Sequence, residues 1–110
     1  MRKQLMVVVV TLPVLLLLTG QAGSTGNPKL GRLVFEKHCS GCHGRSGGGL
    51  GPSTRMPNFS DRRYQESHTA KEVFDKITRG VAGSGMPSWE KTLSQEERWN
   101  VTAYVKTLAK

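Results

Sequence analysis

The sequence has few cysteines that could cross-link the chain, and it lacks the patterns of a β-rich or repetitive domain. Its two cysteines, Cys39 and Cys42, are three positions apart, so a disulfide between them could not join distant segments. After residue 28 no alternating apolar pattern is long enough to predict a strand, and the chain has no internal repeat. These absences leave a domain of helices and loops without a disulfide framework.

Acidic residues are also scarce, because eight Asp and Glu accompany sixteen Lys and Arg, for a formal net charge of +8. The basic residues are scattered rather than clustered, which does not fit a nucleic-acid-binding face. A positive field of this kind favours acidic protein partners or an anionic membrane surface. We therefore expect no nucleic-acid partner and leave room for peripheral membrane association.

No apolar run is long enough to predict a membrane-spanning helix. Residues 5–18 are apolar apart from Thr11 and Pro13, but these 14 residues fall short of the roughly 18 that a span needs. Two basic residues precede the run and small residues follow it, which is the order of a secretory signal peptide, placed here at residues 1–22. The alternative is an uncleaved membrane anchor, against which Pro13 and the short run argue. We expect an exported, periplasmic protein.

The part that remains after cleavage is small, about 88 residues. Domains of this size bury little apolar surface and often depend on a disulfide, a metal or a cofactor. Residues 23–28, rich in glycine and polar side chains, are assigned to a flexible leader, and residues 29–110 to a single domain. Its net charge would be +6, because cleavage removes two positive charges from the +8.

Three helices are predicted in this domain. The first occupies much of residues 29–42, where apolar residues recur at helical spacing. The second begins in a capping box at Thr69 and ends at Gly80, a residue suited to a left-handed C-terminal conformation. The third begins in another capping box at Ser94.

Long loops separate these helices. Residues 44–61 and 81–90 are rich in glycine and proline and have neither helical nor strand periodicity. Loops of this length are unusual in a compact domain unless they are functional, and wrapping a flat cofactor is one such function. The predicted fold class is all-α, with three main helices and long loops.

The motif Cys39-Ser40-Gly41-Cys42-His43 matches the Cys-x-x-Cys-His signal for covalent attachment of c-type haem. Two thiols three positions apart can both reach vinyl groups on one edge of a planar ring. The imidazole of His43 can then turn under the iron as the proximal ligand. We therefore predict one haem c, covalently bound through Cys39 and Cys42, around which a small core can form.

Three other uses of these cysteines are less consistent with the sequence. A thioredoxin-like redox pair also contains Cys-x-x-Cys, but in a βαβ context that this chain lacks. A zinc site could recruit both cysteines and two of the three histidines, but no second Cys/His cluster has ligand spacing. A disulfide between Cys39 and Cys42 would be sterically tight and would stabilise little.

A second axial ligand decides what a haem iron can do, because a His/Met pair leaves no open coordination site. Two methionines lie outside the signal peptide, Met56 before Pro57 and Met86 before Pro87. Met86 lies between two predicted helices and far along the chain from His43, as expected of a ligand from the opposite face. Spacing therefore favours Met86 and leaves Met56 as the alternative.

Further motifs follow in order along residues 30–108. They are Gly51-Pro52, Pro57-Asn58-Phe59, Gly85-Met86-Pro87-Ser88-Trp89, Leu93-Ser94-Gln95-Glu96-Glu97 and Val101-Thr102-Ala103-Tyr104-Val105. With the Cys-x-x-Cys-His motif, this series resembles the class I cytochromes c, especially short bacterial proteins similar to cytochrome c6 and c-555. The resemblance implies the small cytochrome c fold, wrapped around one haem.

The resemblance also implies roles for individual residues. Cys39 and Cys42 would form the thioethers, His43 would be the proximal ligand and Met86 the distal one. The carbonyl of Pro52 would accept a hydrogen bond from the His43 Nδ1–H and orient the ring.

Other implied roles concern packing. Gly31 and Phe35 would meet Tyr104 where the first and last helices cross. A further group would line the haem pocket or approach the haem propionates: Asn58, Phe59 and Trp89.

The implied function is outer-sphere transfer of single electrons between redox proteins of a respiratory or related chain, without enzymatic bond chemistry. We expect a monomer whose exposed haem edge docks partners with acidic surfaces, with Lys37, Arg45 and Lys91 as candidates for steering. One alternative is a haem-c subunit of a larger oxidoreductase. Another is a peroxidatic or gas-binding haem protein, which would need an open iron site and so a weak or absent bond to Met86.

Overall fold

Within the residues that the structure describes, five helices and the loops between them form the domain. The structure, a computed structural model, describes residues 2–13, 26–49 and 56–110. The helices are α1 (Pro28–His38), α2 (Ser40–His43), α3 (Arg62–Ser67), α4 (Ala70–Arg79) and α5 (Gln95–Val105). Over these three ranges there is no strand, only an isolated bridge between Val81 and Met86. The all-α prediction is confirmed, with α1, α4 and α5 as the predicted helices and α2 and α3 as short additional ones.

The N-terminal segment is separate from these helices. Residues 2–13 form no helix, and their side chains are exposed. No helix in the part of the chain that the structure describes is long and apolar enough to cross a membrane. The rest of the predicted signal peptide lies outside the described residues, so its cleavage stays a prediction.

Helix α1 begins where Asn27 anchors it to α5. The Asn27 side chain accepts hydrogen bonds from the backbone N–H groups of Lys29 and Leu30, and Pro28 occupies the first turn, where its missing N–H costs nothing. The Asn27 N–H donates to Oδ1 of the buried Asn100 at 2.7 Å. The helix starts at Pro28, one residue before the predicted domain boundary at residue 29. Asn27 fixes this start, because its side chain caps α1 and its N–H is hydrogen-bonded to Asn100.

Helices α4 and α5 begin at the predicted residues. The Thr69 hydroxyl accepts a hydrogen bond from the Glu72 N–H at 3.2 Å. At α5 the capping box is complete, because Ser94 Oγ accepts from the Glu97 N–H while the Glu97 carboxylate accepts from the Ser94 N–H. These bonds satisfy backbone donors that the first turn of a helix otherwise leaves free.

The first and last helices cross at a glycine. A Cβ built on Gly31 would lie 1.8 Å from the backbone oxygen of Asn100, so only a residue without a side chain allows this approach. Farther along, the rings of Phe35 and Tyr104 meet edge-on with centroids 5.3 Å apart. The predicted crossing of these helices is present, with Gly31 against the Asn100 backbone and Phe35 against Tyr104.

The buried core is small and one-sided. Six residues form its hydrophobic cluster: Phe35, Phe59, Val73, Ile77, Val101 and Val105. All six also line a single cavity between the helices and the loops. Because the cluster faces that cavity rather than closing on itself, the core needs an apolar body inside it to reach ordinary packing density.

Candidate functional site

The cavity has a volume of about 490 Å³, within the usual range of small-molecule and cofactor sites. Its wall comes from α1, α2, α3, α4 and α5 together with the loops before α3 and after α4. The three chemically active residues of the Cys-x-x-Cys-His motif lie on this wall, namely Cys39, Cys42 and His43. The sequence motif and the cavity therefore coincide.

The end of α1 and the single turn of α2 set the positions of these three side chains. The Cys39 N–H donates to the Phe35 carbonyl at 2.9 Å, and the His43 N–H donates to the Cys39 carbonyl at 2.9 Å. Gly44 then leaves the turn with a φ of 75°, a conformation that favours glycine. The tight turn brings both sulfur atoms and the imidazole to the cavity within five residues.

The two cysteine side chains form no disulfide and lie in different surroundings. Burial, with a smaller contribution from Cys42, raises the pKa of the Cys39 thiol to about 11. Cys42 is exposed at the mouth of the cavity. One sulfur therefore lies inside and one at the rim, an arrangement suited to holding one edge of a planar ring near the surface.

His43 is oriented by aromatic packing. Its ring stacks on Phe59 with centroids 4.8 Å apart and an interplanar angle of 25°, and Phe35 lies 6.4 Å away. Burial lowers the pKa of the imidazole, which keeps it neutral and leaves a nitrogen lone pair free for a metal. Its Nδ1 is buried and has no hydrogen-bond partner among the described residues. Pro52, the predicted partner of Nδ1, lies outside them.

Met86 reaches the cavity from a tight loop after α4. The Val81 N–H donates to the Met86 carbonyl at 3.1 Å, and the Ser84 hydroxyl accepts from the Met86 N–H at 3.3 Å. Gly83 and Gly85 carry positive φ values of 76° and 81° that allow the chain to turn so sharply. The Met86 side chain is half-buried and packs against the core cluster.

Helix α4 anchors the loop that carries Met86. The Trp89 N–H donates to the Ile77 carbonyl at 3.0 Å, and the Ser88 hydroxyl donates to the Thr78 carbonyl at 2.6 Å. Gly80 ends α4 with a φ of 74°, and a Cβ there would lie 2.7 Å from the Met86 oxygen. The predicted helix end is therefore also the point where the loop passes closest to α4.

Met56 lines the same cavity but belongs to different surroundings. The Gly49 N–H donates to the His43 carbonyl at 2.7 Å. A Cβ built on Gly49 would lie 3.4 Å from Met56 Cγ. Met56 is thus packed beside the loop that follows His43, whereas Met86 comes from the loop bound to α4.

The remaining predicted pocket residues divide into two groups. Phe59 and Trp89 line the cavity, and Trp89 meets the ring of His38 edge-on at 5.2 Å. Asn58 does not line it; it is exposed and its Oδ1 accepts from the Ser60 N–H and hydroxyl, and an approach to the haem propionates stays a prediction. Its short side chain is engaged in a local turn and so does not reach the cavity.

Other lining residues were not predicted from the sequence. They include His38, Tyr64 and Lys76. Tyr64 lies on α3, a six-residue helix too short to show periodicity. The sequence feature that could have placed His38 in the cavity wall is its position directly before Cys39. For Lys76 the corresponding feature is its position one residue before the core residue Ile77.

These residues fit haem c and not a zinc site or a thioredoxin-like redox pair. Two cysteine sulfurs, an imidazole and a thioether face one largely apolar cavity. Among the described residues no cluster of three or more His, Cys, Asp or Glu could hold a metal ion, which removes the zinc interpretation there. The described ranges also lack the strands of a thioredoxin-like fold.

A sequence profile described as "Cytochrome C oxidase, cbb3-type, subunit III" matches residues 26–105. The chain belongs to this family of c-type cytochromes. A curated cytochrome c6 from Euglena gracilis is 33% identical over 76 residues, covering 69% of this chain and 86% of that protein. The class I c-type cytochrome suggested by the sequence is therefore confirmed, with haem c bound covalently through the Cys39 and Cys42 motif.

Solved structures of c-type cytochromes have the same fold. Cytochrome c6 of the diatom Phaeodactylum tricornutum matches with a TM-score of 0.62 and 26% identity, over 76% of this chain and 95% of the diatom protein. A chain of a Kuenenia stuttgartiensis complex, described as reducing and HAO-like, matches with a TM-score of 0.65 and 30% identity. That match covers 76% of this cytochrome but 44% of the larger chain. The domain thus resembles both a small cytochrome matched over nearly its whole length and part of a larger chain from a complex.

Proposed function

We propose that this cytochrome is a one-electron carrier whose haem iron is ligated by His43 and Met86. The observation that carries the proposal is that both side chains line one cavity and come from separate elements, α2 and the loop bound to α4. A neutral imidazole and a thioether are the ligand pair of electron-transfer haem c, and this pair leaves no open site.

The chain's own residues hold and enclose the cofactor in this proposal. When bound, the haem supplies one-electron exchange between the ferric and ferrous states of its iron. Cys39 and Cys42 fix one edge of the ring through thioether bonds. Phe35 and Phe59 orient the His43 imidazole and, with the aliphatic core residues, exclude water from the cavity. A rigid and dry surrounding keeps the ligands in place in both redox states.

The surroundings of the two methionines favour Met86 as the distal ligand. Met56 packs beside Gly49, whose N–H donates a hydrogen bond to the His43 carbonyl, and so lies next to the loop that follows the attachment motif. Met86 belongs to a loop held by hydrogen bonds to the last turn of α4. Two axial ligands must approach an iron from opposite faces, and this requirement supports a pair drawn from separate elements.

Optical spectroscopy of matched variants tests the ligand assignment. We expect the ferric protein to show the charge-transfer band at the red end of the visible spectrum that marks a methionine sulfur on the iron. Met86→Ala should abolish that band, lower the reduction potential and allow rapid carbon monoxide binding to the ferrous state. Met56→Ala, the matched control, should keep the band. Equal effects of the two substitutions would contradict the assignment.

The same experiment separates a carrier from an enzyme or a gas sensor. A peroxidatic or gas-binding protein needs an exchangeable site on the iron, whereas the proposed carrier has none. Slow or absent carbon monoxide binding by the unmodified ferrous protein is therefore expected. Rapid binding, together with a missing red band, would exclude the carrier.

Partners are proposed to be redox proteins with acidic surfaces that dock where the haem edge is exposed. Cys42 is exposed at the mouth of the cavity, and the basic residues Lys37, Arg45 and Lys91 are exposed as well. Electrostatic docking speeds encounter and depends on salt. We expect the rate of electron transfer to an acidic partner to fall as ionic strength rises; a rate that salt leaves unchanged would exclude charge-directed docking.

A second candidate is a haem-c subunit of a larger oxidoreductase. The family profile is described as an oxidase subunit, and the Kuenenia relative is part of a complex. Gel filtration of the protein from its native source distinguishes the two. A peak at the mass of one mature chain supports the monomeric carrier, whereas co-elution with a haem-containing assembly supports the subunit.

Export to the periplasm completes the proposal, because attachment of haem c and the predicted signal peptide at residues 1–22 both point there. Mass spectrometry of the purified holoprotein tests it. We expect a mature chain that lacks the first 22 residues or so and carries one covalent haem. An intact N-terminus would instead support an uncleaved anchor.

A further inference from the structure

A buried arginine on α5 contacts the segment that follows Met86. The side chain of Arg98 is 8% exposed. Its Nη1 donates to the Leu93 carbonyl at 2.6 Å and to the Glu90 carbonyl at 3.2 Å. Both carbonyls belong to residues 89–93, which we call the post-Met segment because it joins the Met86 loop to α5. The guanidinium therefore links the body of α5 to this segment.

The surroundings of Arg98 do not resemble those of a buried ion pair. Within the described residues the ion pairs are Arg32–Glu36 and Lys71–Asp75, and neither involves Arg98. Its Nε is buried without a hydrogen-bond partner there. The Phe74 ring lies 5.5 Å from its Cζ. A buried cation is costly when no carboxylate compensates for its lost hydration, so general stabilisation is a poor reason for its presence.

The post-Met segment is tied to the fold at its two ends. At one end the Trp89 N–H donates to the Ile77 carbonyl on α4. At the other end Arg98 binds the Leu93 and Glu90 carbonyls, and the Leu93 N–H closes a turn on the Trp89 carbonyl at 2.9 Å. Loss of the Arg98 contacts would remove both hydrogen bonds from the body of α5 to this segment, which begins three residues beyond Met86, and would leave it joined to α5 by the chain itself.

We propose that Arg98 is a positioning residue that holds Met86 over the haem iron by tethering the post-Met segment to α5. The inference rests on the proposed function, in which Met86 is the distal ligand. Arg98 itself does not line the cavity, so it acts through the loop. Without the tether, conformations in which the loop has moved away from the iron become more populated, and an added ligand competes more easily for the vacated site.

Lys106 offers a matched control on the same helix. It caps α5, is half-buried, and donates from Nζ to the carbonyls of Gln65 and His68. Like Arg98, it is a cation that binds two backbone carbonyls, but these belong to the end of α3 rather than to the post-Met segment. Arg98→Met and Lys106→Met therefore remove the same kind of contact from different loops.

Imidazole binding to the ferric holoprotein measures how often the iron site opens. We expect Arg98→Met to raise the apparent imidazole affinity by about tenfold, which is the scale of one charge-assisted hydrogen bond. Lys106→Met should leave the affinity within about twofold of the unmodified protein, although its thermal midpoint falls. Arg98→Lys keeps the charge but loses the planar fork, so an intermediate affinity is expected.

Amide hydrogen exchange supplies a readout that does not depend on ligation. The Trp89 and Leu93 amides should exchange faster in Arg98→Met than in Lys106→Met, because their hydrogen bonds lie within the released segment. Unchanged exchange and unchanged imidazole affinity in Arg98→Met would overturn the proposal. If that variant fails to incorporate haem, Arg98→Lys decides: an affinity equal to that of the unmodified protein overturns the proposal, and a rise of about threefold or more supports it.

The unmodified protein separates the two levels of inference. A ferric spectrum without the methionine band contradicts the proposed ligation and with it the role given to Arg98. A normal band in the unmodified protein, accompanied by an Arg98→Met variant that binds imidazole no better, contradicts only the inference about Arg98.

Discussion

The crossing of α1 and α5 allows a sharp test, because two physical effects predict opposite results for Gly31→Ala. Helix propensity alone predicts that alanine in place of a helical glycine stabilises the protein by about 1 kcal/mol. Packing predicts the reverse. A Cβ at residue 31 would lie 1.8 Å from the Asn100 oxygen, whereas ordinary contact begins at 3.4 Å. Because the obstacle is backbone, it cannot rotate away.

The structure gives the size of the packing effect. To relieve the overlap, α1 must move away from α5 by about 1.6 Å, the difference between those two distances. That shift strains the Asn27–Asn100 hydrogen bond and the Phe35–Tyr104 contact, and overpacking itself costs about 1–3 kcal/mol. After the gain in propensity, we expect a net destabilisation of about 2–3 kcal/mol, or a fall in Tm of roughly 10–20 °C.

Thermal and chemical denaturation of the holoprotein, followed by circular dichroism, measure this change. The matched control is Gly41→Ala, a helical glycine whose added Cβ would meet nothing within 4 Å. Gly41→Ala should leave the stability of the protein unchanged or raise it slightly, because alanine has the higher helix propensity. If Gly31→Ala proves as stable as the unmodified protein, α1 and α5 do not approach as closely as described and the reasoning fails.

Three further predictions concern the site and its supports. Gly80→Ala should weaken the red methionine band, because its Cβ would lie 2.7 Å from the Met86 oxygen; a band of full strength would contradict the placement of this loop. Replacing both Cys39 and Cys42 by serine should leave no haem on a denaturing gel and reduce the helical circular dichroism signal, since the core cluster faces the cavity; full helicity without haem would refute that dependence. The capping bonds from the backbone and side chain of Ser94 lower the pKa of Glu97, so its contribution to stability is present above the ordinary pKa of glutamate and disappears as the pH falls through the lowered value. The stability difference between the unmodified protein and Glu97→Gln should therefore shrink on acidification, and a difference that grows would be contrary to this reasoning.

Local signals predicted the helix starts well. The hydroxyls of Thr69 and Ser94 were expected to accept hydrogen bonds from the backbone N–H groups three residues later. Both hydrogen bonds are present in the structure. Such interactions span a single turn and therefore need no tertiary context. Helix α3 was not predicted because its six residues are too few to show a period, and Gln65 docks it by donating to the Phe59 and Val105 carbonyls, a distant contact.

The residues that line the cavity were predicted only in part, because most of the predicted ones lie in loops without periodicity. Phe59 and Trp89 line it as expected, but Asn58, next to Phe59 in the chain, is exposed in a turn. Adjacent residues in a loop can point in opposite directions, and no periodicity reveals which one faces inward. The role of Pro52 is a prediction that awaits its own test.

The cofactor and the way in which it is attached follow from the amino-acid sequence alone. Two thiols and an imidazole within five residues are a local chemical unit, and its geometry follows from one helical turn. What surrounds that unit depends on how the helices and loops pack in three dimensions. This packing brings Met86 to the same cavity through bonds to α4, sets Met56 beside the loop after His43, and connects Arg98 to the post-Met segment. These contacts join residues far apart in the chain, so packing of whole elements, and not local preference, creates them.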